Sequence, residues 1–383
     1  MTSLTAIVFW ACIGLVILSY VLYPMFVLLA GRLLTARPRP RAEDAALPAV
    51  AVVVAACNEQ RHIDERIRNL LSQDYPADLL TILVGSDGSI DRTVEIAQAH
   101  ACERVRVIEF PVRRGKASVL NDLLGMVSQP IVIFTDANTF FEQGAIRALV
   151  RNFSDPAVGA VNGELRLFMA GNGDNADGAY WRIETALKQG ESGLCGVLGA
   201  NGGIYAIRRE LYRPLPADTI IDDFTVAMTV AALGWRTVFE PEAAAREQLP
   251  SGIDDEFRRR IRIGTGNYQA LFRHPEYWTR AGWGRRLAYF SHKILRWFTP
   301  HLLVLALVAS ALLADDPLYR GLLGLQLAGY GLCLLALVAR RHFTLPGPVR
   351  LPLLIFTLNL AFLIGFWRYI SGEASGLWHR TER

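Results

Sequence analysis

Cysteine is scarce in these 383 residues. Cys12, Cys57, Cys102, Cys195 and Cys333 stand far apart, with no CxxC pair and no histidine at metal-ligand spacing. That argues against a disulfide framework and a zinc ribbon, and leaves the thiols as small apolar residues of a reducing compartment. A large charge excess is missing too. The net charge of +4 is small for the length and is carried mostly by arginines flanking apolar runs, so the chain has no nucleic-acid footprint. Internal repeats are absent. The one biased stretch, "RPRPRAEDAALP" at 37–48, has alternating prolines that exclude helix and charges that exclude burial, which makes it a linker.

What the chain has in quantity is apolar length. Its mean hydropathy is +0.24, unusual for a wholly soluble protein. From Leu4 to Leu34 no charge precedes Arg32, enough to cross a hydrocarbon core of about 30 Å. A cleaved signal peptide fits poorly, because the run is too long, no basic residue precedes it and no small-x-small site follows. Three further runs lie at 299–314, 321–338 and 351–367, near the lower length limit for a spanning helix. Arg32, Arg37, Arg39 and Arg41 flank the first run, and Arg340, Arg341, His342 and Arg350 lie between the last two. By the positive-inside rule the long central region is cytoplasmic. The expected order is therefore an anchor (1–36), the linker (37–48), a cytoplasmic domain (49–278), a segment at 279–298, spans (299–371) and a tail (372–383). Within 279–298, "WGRRLAYFSHKILRWF" interleaves basic and aromatic residues at helical spacing, the pattern of an interfacial amphipathic helix.

In the central region short apolar runs (50–56, 80–85, 105–110, 131–135 and 158–162) alternate with segments of helical periodicity. That alternation predicts an α/β domain with a parallel sheet, which holds ligands at the carboxyl ends of its strands near a topological switch point. "AGNGDNADG", 170–178, reads as a polar loop.

The polar motifs fall at those strand ends. Asn58 and Glu59 follow the first strand, and capping alone would explain them. Asp87 follows the second in "GSDGS", where turn chemistry would suffice. Gly115 and Lys116 open the third helix, suited to a phosphate through helix N–H groups and one ammonium. In "TDANT", Asp136 and Asn138 place two oxygen-bearing side chains two residues apart, able to hold a hard divalent cation that takes its other ligands from substrate phosphates. Asp222 and Asp223 begin a helix; one acid could cap it, and a second is more than capping requires, so one of them can serve as a general base. "LGANGGIYAIRR" contains Gly199, Asn201, Gly202 and Gly203, a small-residue turn with room for a bulky acceptor. "EFRRRIRIG", with Arg259 and Arg262, is either a solvated face near anionic lipid or a set of cations over a diphosphate.

In this order, "CNE", "SDGS", "GKASVLN", "TDANT", the glycine-rich turn, "DDF" and "RRRIR" followed by spans, the chain resembles the membrane-embedded family-2 glycosyltransferases of GT-A fold, over about Val50 to Phe298. The branch is that of cellulose, chitin and hyaluronan synthases and bacterial exopolysaccharide glycosyltransferases. The resemblance implies a GT-A-like, mostly parallel sheet with helices on both faces, one N-terminal and about three C-terminal transmembrane helices, and a bacterial inner-membrane location. It implies that Asn58, Glu59, Asp87, Lys116, Asp136, Arg259 and Arg262 contact a nucleotide-sugar, UDP-linked by expectation, with Mg2+ or Mn2+ at Asp136 and Asn138. Asp223, with Asp222 beside it, would be the catalytic base, and the glycine-rich turn would face a glycan or polyprenyl-linked acceptor among membrane lipids.

Three positions depart from the family pattern: Asn138 stands for the second Asp of DxD, Asp222 for Glu, and Ile263 for the Trp of QxxRW. The last implies non-processive transfer; one base on one face implies single displacement with inversion, and the resemblance implies a hexosyl or N-acetylhexosaminyl group as what is moved. A processive synthase or a polyprenyl-phosphate glycosyltransferase is the alternative among enzymes, and a membrane-anchored nucleotide-sugar sensor is the alternative outside them.

Overall fold

The computed structural model describes residues 2–34, 47–168, 178–248, 253–340 and 347–373. Most of the linker, the polar loop before Gly178, Arg341, His342 and the terminal "HRTER" lie outside the described residues. The first half of the chain forms α1 (Thr2–Ile17), α2 (Tyr23–Leu34), β1 (Val50–Ala56), α3 (Ile63–Leu71), β2 (Leu80–Asp87), α4 (Thr93–Gln98), β3 (Val105–Phe110), α5 (Lys116–Met126), β4 (Ile131–Asp136), β5 (Thr139–Phe141), α6 (Ala145–Val150) and β6 (Val158–Phe168). Then follow α7 (Gly178–Leu194), β7 (Tyr205–Arg208), α8 (Asp222–Ala232), β8 (Arg236–Gln248), α9 (Ile253–Arg273), α10 (Glu276–Thr279), α11 (Trp283–Ala288), α12 (Leu295–Leu312), α13 (Pro317–Ala339) and α14 (Gly347–Ile370).

The strands form one sheet in the order β3-β2-β1-β4-β7-β6-β8-β5. β1 is buried at every residue, as a central parallel strand covered on both faces must be, and its residues divide by parity. Val50, Val52 and Val54 enter the core shared with α3 and α6, while Ala51, Val53 and Ala55 face α5 and α8. Because β2 and β3 lie on one side of β1 and β4 on the other, the chain reverses direction across the sheet between β1 and β4, the switch point where such sheets bind ligands.

Beyond β4 the sheet is mixed. β7 runs antiparallel to both β4 and β6, β6 is parallel to β8, and β5 is antiparallel to β8. Most paired positions among the described residues are nonetheless parallel, as expected, and the antiparallel pairs all involve β7 or β5. β6 runs to Phe168 instead of ending near 162, and its register with β8 shifts between Gly163 and Glu164, so both strands carry on beyond that irregularity, where β8 also pairs with β5 at the far edge.

Among the described residues, four helices are long and apolar enough to cross a membrane: Ser3–Gly31, Trp283–Leu312, Pro317–Ala339 and Val349–Ile370. The segment expected as a separate interfacial helix is continuous with the second of them. α11 and α12 are joined by a π-helical segment, Tyr289–Ile294, that buries Tyr289, Ser291 and His292. A matching π segment, Leu18–Leu22, joins α1 to α2, and Ser19 there donates a 2.8 Å hydrogen bond to the carbonyl of Ser291. A third apolar core ties the spans to the sheet domain: Tyr23 and Val27 of α2, Leu187 of α7, Phe224 and Met228 of α8, Tyr268 of α9 and Trp297 of α12. α14 and α9 approach closely, since a Cβ on Gly365 would stand 2.7 Å from the Thr265 nitrogen.

Candidate active site

Above the carboxyl ends of β1 and β4 lies a cleft of about 750 Å3, within the usual range for a ligand site. Asp136 is the last residue of β4, in register with Ala55 of β1. Its Oδ1 accepts a 2.8 Å hydrogen bond from Lys116 Nζ at the start of α5, and the same ammonium lies 3.1 Å from Asp222 Oδ2. Asp222 and Asp223 open α8, where the helix dipole favours negative charge. Asp223 Oδ1 accepts from the backbone N–H of Phe224 at 2.8 Å. Its Oδ2 points toward Gly202: a Cβ built there would sit 3.2 Å from Asp223 Oδ2 and 3.5 Å from Asp136 Oδ2. Glycine at 202 thus keeps open the space between two carboxylates that are far apart in sequence.

The electrostatics differ at each group. Burial, then the neighbouring Asp222 carboxylate, push Asp223 up to about 6, against the pull of Lys116. For Lys116, burial acts to lower the ammonium, but Asp136 and Asp222 outweigh it and hold it protonated above the ordinary lysine value. Beneath Asp136, Arg66 is fully buried, donates to Thr135 Oγ1 at 2.8 Å and Asn69 Oδ1 at 2.6 Å, and is lowered to about 9 by burial, with Asp136 opposing. Arg262 of α9 lines the cleft and donates to the Ile220 carbonyl at 3.1 Å. Burial and Arg259 lower it, against the charges of Asp222, Asp223 and Asp136.

No three His, Cys, Asp or Glu side chains cluster as a self-sufficient metal site among the described residues. The open space between Asp136 and Asp223 fits instead a cation that keeps water and takes phosphate oxygens as ligands.

The other expected residues divide into those facing the cleft and those holding its walls. Glu59, Gly202, Gly203, Asn138, Arg259 and Arg262 line it. Asn138 Nδ2 lies 3.4 Å from Glu247 Oε1, so its amide is turned to a neighbouring carboxylate. Asp87 is fully buried and does not line the cleft; its two oxygens accept the N–H groups of Arg114 at 2.7 Å and Gly115 at 2.9 Å, fixing the loop that presents Lys116. Asn58, at φ +58°, accepts from Ile90 N–H at 2.9 Å and joins the β1 and β2 loops. Gly199, at φ +87°, abuts the Phe224 ring, and Asn201 bonds to Asn162, Gly163 and Lys188.

Glu247 escaped the sequence reading. It is a buried carboxylate on β8, 3.8 Å from Arg259, inside the cleft. Its segment carries no strand pattern in sequence, so nothing there marked it. Arg368 and Glu373, at and just past the end of the last span, also line the cleft, which therefore reaches toward the membrane helices.

A sheet that reverses at an acid-lined switch point and then continues as a mixed half defines the GT-A class of glycosyltransferases. Residues 48–266, more than half of the chain, match the family described as Glycosyltransferase like family 2, and the chain belongs to that family. Similar curated proteins include the poly-beta-1,6-N-acetyl-D-glucosamine synthases of Staphylococcus epidermidis, 24% identical over 250 residues (62% of this chain, 59% of that protein), and of Staphylococcus aureus strain COL, 26% over 238 residues (59% and 56%). The matches thus span less than two thirds of those relatives' length. Among solved structures, a mannosyltransferase from Pyrobaculum calidifontis in complex with GDP-Man and Mn2+ shares the fold at a TM-score of 0.72 and 23% identity, over 96% of this chain and 99% of that one.

Proposed function

We propose that this protein transfers a single sugar, with inversion, from a nucleoside-diphosphate sugar to a membrane-linked glycan or lipid-linked acceptor at the cytoplasmic face of a bacterial inner membrane. The observation that carries this reading is the convergence of Asp136 Oδ2 and Asp223 Oδ2 on the Cβ-free space at Gly202.

Asp223 is the base. One oxygen is held by the Phe224 N–H, the other opens toward Gly202, and burial raises its proton affinity toward the working range of a base. Lys116 and Arg262 place positive charge where a diphosphate departs, and Lys116 keeps Asp136 and Asp222 on a common ammonium. A bound Mg2+ or Mn2+, held at Asp136 with Asn138 close by, supplies charge neutralisation to the diphosphate. Glu59 and Arg259 belong to the same donor surface, while Asn58 and Asp87 shape its loops. One base on one side of the acceptor hydroxyl gives a single displacement, hence inversion. Ile263 lines the cleft where processive synthases carry a tryptophan, which favours single transfer over chain extension.

The test is a panel of UDP- and GDP-sugars scored for divalent-cation-dependent release of nucleoside diphosphate by the purified protein. Asp223→Asn should stop release while donor binding persists. A sensor would bind the donor, release nothing in the wild type, and be indifferent to that substitution.

A further inference from the structure

Arg66, on the inward face of α3, is a cation out of reach of solvent, with a relative exposure of 0%. A charge there is costly, and an apolar side chain of similar volume would fill the space without that cost. Nor are all its donors used: Nε has no hydrogen-bond partner among the described residues. What the guanidinium does reach is the backbone on both sides of the Asp136–Asn138 turn. Nη2 donates to Thr135 Oγ1 at 2.8 Å, one residue before Asp136. Nη1 donates at 2.6 Å to Asn69 Oδ1, which also accepts the Phe141 N–H at 2.8 Å, while Asn69 Nδ2 donates to the Phe141 carbonyl at 2.9 Å. Asn69 thus pairs with the last residue of β5 as a neighbouring strand would. The guanidinium also lies 4.3 Å from the centre of the Phe141 ring, a cation–π contact. One planar fork therefore grips the turn at both ends, a geometry that the single ammonium of a lysine does not reproduce.

The bonds continue past β4. An arginine only donates, so the Thr135 hydroxyl that accepts from it keeps its own proton for another acceptor. That acceptor is the Gly203 carbonyl, at 2.7 Å from the buried Thr135 Oγ1. Gly203 adjoins Gly202, which faces Asp136 and Asp223, and it is itself tightly packed: a Cβ there would stand 2.9 Å from Leu165 and 3.1 Å from Thr139. A connected line of hydrogen bonds thus runs from α3 through the end of β4 to the glycine-rich turn, and Arg66 itself does not line the cleft.

We infer that Arg66 is a positioning residue that holds the Asp136–Asn138 turn in register with the acceptor turn at Gly202 and Gly203. It acts through Thr135 and Asn69, and touches neither donor nor acceptor. This rests on the transfer reading and names the side chain that keeps the two halves of that site in one geometry.

The experiment reads amide hydrogen exchange along the full chain in phosphatidylcholine nanodiscs without ligand, and then Mn2+-dependent binding of UDP and GDP by calorimetry. Arg66→Lys keeps the charge and loses the fork. Exchange in peptides covering 136–141 and 201–204 should rise by about tenfold or more, while β1 and α5 stay as in wild type. Thr135→Val should raise exchange at 201–204 by a similar factor, and Thr135→Ser, which keeps the hydroxyl, should restore it. With a donor that the wild type turns over, Thr135→Val should lower kcat by about tenfold and leave nucleotide affinity within about twofold, whereas Arg66→Lys should weaken that affinity by about tenfold too. An arginine with a merely structural role would speed exchange evenly along the sheet and give no such split. Wild-type exchange at both turns in Arg66→Lys, an equal rise over β1 and α5, or no recovery in Thr135→Ser would overturn the inference. If Arg66→Lys does not fold, the two Thr135 variants decide it. Exchange is read without ligand, so a wild type that binds neither nucleotide fails the proposed reaction alone.

Discussion

Around Lys116, three carboxylates (Asp136, Asp222 and Asp223) act on one ammonium. Around Lys188, two carboxylates (Glu184 and Glu191) are shared among Lys188, Lys293, Arg296 and His292. Arg66 and Arg262 also answer the acids of the first cluster, while the second keeps a buried Glu191 oxygen without a hydrogen-bond partner, and Asp223 acts on the lysines of both. Buried charge is tolerated where it is paired or where a ligand completes it. The contrast is therefore between acids that open onto a cleft, built on the strand ends of the sheet, and acids that turn to protein side chains, built where α7 meets the spans.

The largest effect should come from removing the shared member. Asp223→Asn should lower transfer by about 10^2 to 10^4-fold, the usual range for a general base, measured as turnover at saturating donor. Next is Lys116→Ala, which leaves Asp136 and Asp222 without their common ammonium. Breaking a buried pair in this way costs about 3–5 kcal/mol, so chemical denaturation should show a large loss.

Gly202→Ala should be smaller. Its methyl group would stand 3.2 Å and 3.5 Å from the two carboxylate oxygens, tight for both, and should weaken the Mn2+ dependence of nucleotide release by about tenfold with little change in folding stability. The smallest effect is on the pH profile. kcat/KM should fall as pH drops through about 6, where Asp223 takes up a proton, and Asp222→Asn should move that acid limb downward by removing the second-largest cause of the raised value. The stability sign is opposite to that of an ion-paired aspartate. With its folded value above the unfolded one near about 3.9, Asp223 contributes stability that is full below the unfolded value and lost as pH rises through about 6.

The parallel half of the fold was legible because β1, β2 and β4, buried on both faces, are written as apolar runs that lead into the polar residues of the ligand edge. β8 was not. "RTVFEPEAAAREQ" contains a proline and alternating charge that local pattern assigns to no element, and it becomes a strand only through pairing with β6, about eighty positions earlier. β5, at three residues, is too short to carry a pattern.

Among the expected site residues, Asp136, Asp223 and Lys116 stood out by their positions at element ends, whereas Arg262, inside α9, followed only from the resemblance. Asp87 and Asn58 stand at equivalent ends, yet their side chains accept N–H groups of nearby loops. A strand-end acid looks the same in sequence whether it faces a ligand or a backbone amide. The basic–aromatic stretch around His292 and Lys293 read as a lipid-facing surface for a similar reason: helical spacing cannot tell phospholipid headgroups from the buried acids of α7, about a hundred residues away.

The most direct measurement is calorimetric titration of nucleoside diphosphate, UDP and GDP in turn, with and without Mn2+, into wild type, Asp136→Ala and Asp223→Asn, alongside donor turnover for each. If the two aspartates serve one donor site, one nucleotide binds wild type in a Mn2+-dependent way, Asp136→Ala loses that binding, and Asp223→Asn keeps it while turnover collapses. Undiminished Mn2+-dependent binding to Asp136→Ala, or wild-type turnover by Asp223→Asn, would contradict it.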